Sequence, residues 1–240
     1  MLQYIYEKVF CNRQCHAPRI CQANAVIRRA CIKVFFPSGR PAGVFLGGGM
    51  NQLGSRVLTT QRLILRPFRA TDAEQAFSGW MSDPAVTKYL TWERHESIFL
   101  TRQLLAAWEQ EAKLLTTYHW AIVWRETGVV IGDISVPTAD MRSQWAEIGY
   151  CLSRAFWGRG IMTEALSAVI DFLIGKVGFL RIEAKHATEN VASGRVMEKC
   201  GMQLEGVLRK GHRLLSTGEL VDIAIRAILR EEWEARKLLQ

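Results

Sequence analysis

The sequence predicts a single α+β domain, in which helices cover a central sheet, preceded by an N-terminal extension. Two observations support this class, and the length is compatible with it. Apolar residues switch between the two-residue period of strands and the 3.6-residue period of helices. The predicted order of elements, β-α-α-β-β-β-α-β-α-β-β, mixes consecutive strands with single helices. The length of 240 residues suits one core with an appendage as well as it suits two domains.

The first half of the domain is predicted to hold a strand, two helices and a three-stranded meander. Arg62–Arg66 alternates as a strand does and ends before Pro67. Thr71-Asp-Ala-Glu74 has the pattern of a capping box that opens a helix, and a second helix follows at about 95–113. The meander comprises Tyr118–Trp124, a short turn at Glu126–Gly128, Val129–Ser135 and a strand at 144–152.

The second half alternates helices and strands before a terminal hairpin. Apolar residues at helical spacing after Gly160 predict a long helix that packs on the sheet. The predicted elements are a helix at 160–175, a strand at 180–187, a helix at 191–200, strands near 203–210 and 219–228, and a polar helix Arg230–Leu239.

The net charge of +8 is concentrated in the first 49 residues. That segment has seven basic residues and one acidic residue, whereas the remaining 191 residues have 24 basic and 22 acidic ones. A nearly neutral body does not favour a broad phosphate-binding face, so no nucleic acid partner is expected. No stretch of about 18 apolar residues occurs, so neither a membrane span nor a membrane partner is expected.

The basic, cysteine-containing segment 1–56 is predicted to be disordered or to result from a misassigned start codon, with the domain spanning 57–240. Three glycines directly precede Met50. A purine-rich ribosome-binding site upstream of a start codon would give such glycines if it were translated in frame. A transit peptide is the alternative, although serine is scarce, and basic residues interrupt every apolar run that a secretory signal would need.

Cysteine usage indicates a reducing, cytoplasmic compartment. Cys151 and Cys200 have no close cysteine partner and lie in apolar segments, which indicates buried thiols. The four cysteines of the extension match no standard zinc spacing, and the five histidines form no ligand pair, so no metal site is predicted.

A glycine-punctuated turn precedes the long apolar helix. Gly158 and Gly160 flank Arg159, which would let the backbone approach oxygen atoms closely. The first N–H groups of the helix and its positive dipole end would form an anion site, to which Thr163 can add a hydroxyl donor. An ordinary loop before a helix is the alternative, because two glycines alone are a weak signal.

Three segments together resemble the GNAT superfamily of N-acetyltransferases, specifically its RimJ/RimL-like branch, which includes ribosomal-protein-alanine N-acetyltransferases. These segments are Glu147-Ile-Gly-Tyr150, Trp157 to Ala165, and Asn190 to Met202, and the resemblance covers about residues 57–235. It implies a mixed, mostly antiparallel central sheet flanked by helices. It also implies acetyl-CoA as co-substrate, without a metal.

The resemblance implies a set of residues that hold coenzyme A. The main chain near Cys151 and Leu152 would face the acetyl carbonyl, and Asn190 would contact the cofactor arm. The full implied set is Tyr150, Cys151, Leu152, Trp157, Gly158, Arg159, Gly160, Ile161, Met162, Thr163 and Asn190.

The implied catalytic residues are Glu147, Asn190 and Ser193. Glu147 would accept the amine proton; the alternative is a solvated edge-strand carboxylate or a partner of Arg142 or Arg154. Asn190 is also placed to cap a helix, and both roles can coexist.

Ser193 would stabilise the leaving thiolate, because Met197 occupies the position where many members have a tyrosine; a surface serine is the alternative. Cys151 as an acyl-accepting nucleophile is disfavoured, because no histidine is placed by sequence to activate it.

The predicted function is transfer of an acetyl group from acetyl-CoA to a primary amine by direct attack, through a tetrahedral intermediate. The acceptor would be a protein N-terminus, a polyamine or an antibiotic, selected by residues 71–113 and the hairpin at 209–220. Acidic residues in the first of these regions could attract a cation: Asp72, Glu74, Asp83, Glu93 and Glu96. A non-catalytic acyl-CoA sensor is the alternative function, and the edge of the terminal hairpin could support a homodimer.

Overall fold

The computed structural model describes residues 50–239. The basic segment 1–49 lies outside the described residues, and with it the predictions of disorder and of a misassigned start codon. Residues just before 57, which the sequence assigns to the extension, bond to the domain. The Ser55 hydroxyl donates to the Thr117 carbonyl at 3.1 Å, and Asn51 N–H donates to the Val177 carbonyl at 2.8 Å.

Eight strands form one sheet in the order β1-β2-β3-β4-β5-β6-β8-β7. All neighbours run antiparallel except β5 and β6, which run parallel. The mixed, mostly antiparallel sheet that the sequence predicts is therefore confirmed. The strands are β1 (Leu58–Thr59), β2 (Leu63–Arg66), β3 (His119–Trp124), β4 (Val130–Asp140), β5 (Trp145–Leu152), β6 (Arg181–Ala187), β7 (Gln203–Arg213) and β8 (Leu220–Leu229).

The helices of the described chain occupy the segments between strands and its end. They are α1 (Ala73–Ala76), α2 (Pro84–Thr87), α3 (Ile98–Glu111), α4 (Ile161–Phe172), α5 (Val191–Lys199) and α6 (Arg230–Leu238). None of the helices between residues 50 and 239 is long and apolar enough to span a membrane.

The core lies between the sheet and α4. Alternation along β5 places Ala146, Ile148 and Leu152 on the face that packs against the apolar side of this helix. Trp120 of β3 is fully buried in the same cluster, and its indole N–H donates to the Arg56 carbonyl at 2.7 Å. Aromatic rings of β3 and α4 meet edge to face, as Trp120 and Phe172 do at 5.9 Å between centroids.

The start of the first helical segment differs from the prediction. A 3-10 turn, Ala70–Asp72, precedes α1, and Asp72 rather than Thr71 supplies the acceptor there. Asp72 accepts from the Arg69 N–H at 2.9 Å and forms a two-point ion pair with Arg66 at 2.8 Å. The predicted capping box at Thr71–Glu74 is thus wrong by two positions, since the box runs from Arg69 to Asp72, where the arginine of β2 stabilises the carboxylate.

Candidate active site

The sheet opens between its two parallel strands. β5 and β6 pair at four positions, from Trp145 opposite Arg181 to Ile148 opposite Ala184. Beyond Ile148, β5 keeps its pairing with β4, while β6 beyond Ala184 keeps its pairing with β8. Residues 149–152 and 185–187 are therefore not paired with each other, and we call the place where the strands part the fork.

The main chain of β5 offers hydrogen-bond donors to this opening. Ser153 N–H donates to the Ile131 carbonyl of β4 at 2.8 Å, and the Cys151 carbonyl lies against Gly132 of the same strand. Because successive residues of a strand direct their N–H groups to opposite sides, the N–H groups of Tyr150 and Leu152 face away from β4. Of the main-chain N–H groups near the implied acetyl site, those of Tyr150 and Leu152 therefore face the opening, and that of Cys151 faces β4.

Glu147 lies at the fork and pairs with a lysine that the sequence did not indicate. Its Oε2 is 2.8 Å from Nζ of Lys185, and the two side chains are 24% and 38% exposed. Of the two arginines predicted as partners, Arg154 pairs with Asp83 instead, and no ion pair joins Arg142 to Glu147 among the described residues. Glu147 and Lys185 come from different strands, so only the parallel register brings them together.

Tyr150 and Ser193 join the two sides of the opening. The Tyr150 hydroxyl is 3.0 Å from Ser193 Oγ and 3.2 Å from the Ser193 carbonyl. Burial raises the pKa of Tyr150 far above its ordinary value of 10.0, so this hydroxyl keeps its proton over the whole physiological range. Met197, which occupies the position of the expected tyrosine, is buried in the core. Two hydroxyl groups thus lie together where the sequence indicated one.

Asn190 caps α5 as the sequence indicates. Its Oδ1 accepts from the Ser193 N–H at 3.2 Å, which fixes the first turn of the helix and the serine within it. The side-chain amide NH₂ group is not used by this cap. Asn190 can therefore orient Ser193 and still donate to a group in the opening.

The turn after β5 has the backbone that the glycines predict. Gly158 and Gly160 both have φ of 72°, and a side chain on Gly158 would project into open space. The first intrahelical bond of α4 runs from Glu164 N–H to the Gly160 carbonyl. The N–H groups of Ile161, Met162 and Thr163 precede that bond, as is usual in the first turn of a helix.

Side chains around the turn fix its position. Trp157 Nε1 donates to the Leu152 carbonyl at 2.7 Å, which joins the turn to the end of β5. The guanidinium of Arg159 lies 5.2 Å from the ring centroids of both Trp124 and Phe156, within cation–π range. Ile161 and Met162 are buried in the core, so only their main-chain groups are available at the turn.

Glu164 and Arg62 support the turn from the other side, and no local sequence pattern indicates this pair. Glu164 accepts from Thr60 Oγ1, from the Arg62 N–H at 2.9 Å and from Arg62 Nε at 2.7 Å. Arg62 Nη1 donates in turn to the Arg159 carbonyl at 3.0 Å. The sequence shows an acidic residue four positions after Gly160, but it cannot show the partners of this residue, which are about a hundred residues away in the chain.

Replacing Glu164 by Gln is expected to destabilise the protein by about 1–2 kcal/mol near neutral pH, because charge-assisted hydrogen bonds are lost. Burial opposes ionisation of Glu164, but hydrogen bonds from Thr60 and Arg62 outweigh it and lower its pKa from 4.5. A lowered pKa stabilises the fold above the unfolded value, and this stabilisation is lost as the pH falls through the folded value. In denaturant unfolding, the difference between the proteins should therefore shrink below pH 4.5.

Glu74→Gln is the control variant for Glu164→Gln. Glu74→Gln removes an exposed carboxylate paired with Arg102 and should cost less. A difference between wild type and Glu164→Gln that stays constant as the pH falls below 4.5 would contradict ionic support of the turn.

Cys151 is placed as a structural thiol. It is buried, and its S–H donates to Asp133 Oδ1 at 2.6 Å, while His119 Nε2 lies 3.0 Å from the other carboxylate oxygen. Burial and the nearby Asp133 carboxylate raise the pKa of the thiol well above its ordinary value. His119 contacts the carboxylate and not the sulfur, so the arrangement does not generate a thiolate nucleophile.

The residues of the turn fit a pyrophosphate group. Two glycines in the left-handed region leave space for close approach, and amide N–H groups at the start of a 12-residue helix point to the same place. Within residues 50–239, no cluster of three His, Cys, Asp or Glu side chains is arranged to hold a metal ion.

Comparisons with known proteins identify the family. Residues 62–203 match the family model described as acetyltransferase (GNAT) domain. An uncharacterized N-acetyltransferase of Bacillus licheniformis, p20, is 32% identical over 73% of this chain and 97% of its own length. A ribosomal-protein-serine acetyltransferase of Escherichia coli is 31% identical over 41% of this chain and 55% of its own length.

A solved structure agrees with this assignment. An acetyltransferase (GNAT family) from Bacillus anthracis is 26% identical, with a TM-score of 0.64, over 73% of this chain and 99% of its own. The forked sheet, the glycine turn and these matches lead to one conclusion: the chain belongs to the GNAT family and is an acetyl-CoA-dependent N-acetyltransferase.

Proposed function

We propose that this enzyme transfers the acetyl group directly to a primary amine at the fork between β5 and β6. The observation that carries the proposal is the fork itself, which has the Glu147 carboxylate on β5 and a pair of hydroxyls, those of Tyr150 and Ser193, that joins its two sides. Acetyl-CoA supplies an acyl group activated as a thioester. The residues of the chain have to accept a proton from the amine, polarise the carbonyl and stabilise the leaving sulfur.

The proton of the amine goes to Glu147 in this proposal. Its carboxylate is partly exposed at the fork and is already bonded to an ammonium group, that of Lys185. A carboxylate that binds one ammonium is suited to bind and deprotonate another, directly or through a water molecule. The proposal includes no covalent enzyme intermediate, because the buried Cys151 donates to Asp133 and is not placed as an acyl acceptor.

Main-chain N–H groups would polarise the carbonyl, and hydroxyl groups would stabilise the leaving sulfur. The N–H groups of Tyr150 and Leu152 face the opening, where they can polarise the carbonyl. The paired hydroxyls of Tyr150 and Ser193 are placed to donate to the departing sulfur, with Asn190 holding Ser193 by its helix cap. The turn from Trp157 to Thr163 would bind the pyrophosphate through its amide groups.

The acceptor that we favour is the amino group at a protein N-terminus. The name of the Escherichia coli relative states a ribosomal protein as its acceptor, and the fork offers the partly exposed carboxylate of Glu147 to a cationic amine. Three of the acidic residues that the sequence suggested for acceptor binding have other partners: Asp72 pairs with Arg66, Glu74 with Arg102 and Asp83 with Arg154.

Release of the free coenzyme A thiol tests the proposal. The full chain is incubated with acetyl-CoA and with N-terminal peptides, polyamines or aminoglycosides in separate reactions. We expect N-terminal peptides to raise thiol release at least about tenfold above spontaneous hydrolysis. Turnover with polyamines or aminoglycosides alone would support the acetyl transfer but contradict the proposal that the acceptor is a protein N-terminus. Binding of acetyl-CoA without turnover of any amine would support the alternative of an acyl-CoA sensor.

A further inference from the structure

Lys185 is an amine of the protein itself at the fork. It follows Ala184, the last residue of β6 that pairs with β5, and its side chain lies on the same face as Glu147. Its Nζ is 2.8 Å from Glu147 Oε2 and 3.3 Å from Glu183 Oε1. The side chain is 38% exposed, so it is not locked in the core.

The surroundings of Lys185 resemble those that an acceptor amine needs. One carboxylate contact is the proposed general base, and the second comes from the largely buried Glu183, which Arg181 also holds. A flexible four-carbon stem lets Nζ move by several ångströms while its Cα stays at the fork. An amine that rests on the base of an acetyl-transfer site lies where an external acceptor would have to bind.

We propose that Lys185 is a self-acetylation site of this enzyme. The inference rests on the proposed function, because it uses the same base and the same acyl donor. The Lys185 ammonium gives one proton to Glu147, and Nζ attacks the thioester carbonyl. A C–N bond forms and the C–S bond breaks. The coenzyme A thiolate takes the second proton that the nitrogen loses and leaves as the thiol, so acetyl-lysine, free coenzyme A and one released proton, the one first taken by Glu147, result.

Acetylation of Lys185 would change the site for external amines. It removes the positive charge that now neutralises Glu147 and Glu183, and it weakens both ion pairs. Glu147 would then be available to an incoming ammonium group, while Glu183 would keep its ion pair with Arg181. Self-acetylation would therefore raise the affinity of the fork for a cationic acceptor.

The protonation of Lys185 predicts how the modification depends on pH. Burial favours the neutral amine, but the hydrogen bond and charge of Glu147, together with Glu183, outweigh it and raise the pKa of Lys185 above 10.5. The resting group is an ammonium, so its reactive fraction increases with pH. The initial rate of modification should rise steadily between neutral and alkaline pH.

Peptide mapping by mass spectrometry after incubation of the full chain with deuterated acetyl-CoA tests the inference. The deuterium label separates new acetylation from acetylation during expression. Lys237 is a matched internal control, because its Nζ is 2.7 Å from Asp171 and its side chain is 42% exposed, but it lies on α6. We expect label at Lys185 at least about tenfold faster than at Lys237, with a first-order rate that does not depend on protein concentration.

Glu147→Gln should reduce labelling of Lys185 to the level of Lys237 and leave Lys237 unchanged. A second measurement needs no acetyl-CoA: NMR titration of labelled lysine side chains should show a lower pKa for Lys185 in Glu147→Gln than in wild type. Equal labelling of Lys185 and Lys237 in wild type would overturn the inference, and so would a rate that increases with protein concentration.

Thiol release with N-terminal peptides, measured in the same reactions, separates this inference from the proposed function. Peptide turnover without selective labelling of Lys185 overturns self-acetylation alone. Selective labelling without turnover of any external amine supports self-acetylation and contradicts the proposal that protein N-termini are the acceptors. The absence of both, with acetyl-CoA bound, overturns both proposals.

Discussion

Replacing Glu147 by Gln is expected to lower kcat/KM for the acceptor amine by about 10²- to 10⁴-fold, the range for loss of a general base. Glutamine keeps the size of the side chain and its place on β5, but it cannot take a proton. Acetyl-CoA binding, measured by calorimetry, should change little, because the turn from Trp157 to Thr163 lies beyond the end of the strand.

Glu205→Gln is the matched control for this prediction. Glu205 is also a carboxylate in an ion pair, with Arg181, but it lies on the edge strand β7. Its replacement should leave kcat/KM within about threefold of wild type, because a solvated pair makes a small contribution. Comparable losses in both variants would show that the charge network, and not proton transfer by Glu147, is needed for turnover.

Replacing Trp120 by Ala is expected to lower the free energy of unfolding by about 3–5 kcal/mol, the range for a large aromatic side chain removed from a core. Trp120 is fully buried between the sheet and α4, and it satisfies the Arg56 carbonyl. The substitution would leave both a cavity and an unpaired acceptor. Urea unfolding monitored by circular dichroism measures the change.

Trp157→Ala is the control for Trp120→Ala, because it removes the same side chain from an exposed position. Trp157 is 47% exposed, and its main contribution is one hydrogen bond to the Leu152 carbonyl. Its replacement should cost about 1 kcal/mol. Equal losses at Trp120 and Trp157 would contradict the assignment of the core to the interface between the sheet and α4.

Local sequence patterns predict the elements of this fold well. The alternation in β5 and the apolar spacing in α4 place Ile148 and Val169 in the core, where the structure has them. The first helical segment is displaced from its predicted start because Arg66, on a preceding strand, stabilises the Asp72 carboxylate. A capping pattern shows only which residues can cap a helix locally. Here the ion pair between Arg66 and Asp72 decides where the helical segment begins.

The sequence by itself determined the order of the longer elements, the glycine turn and the asparagine cap of α5, because each depends on residues a few positions apart, but it did not indicate the short β1 and α2. Only the tertiary structure decided which groups meet at the fork. Lys185 reaches Glu147, Tyr150 reaches Ser193, and Arg62 reaches Glu164 across 38, 43 and 102 positions of the chain. The physical reason is that strand register and helix packing, set by burial of the whole core, fix these distances.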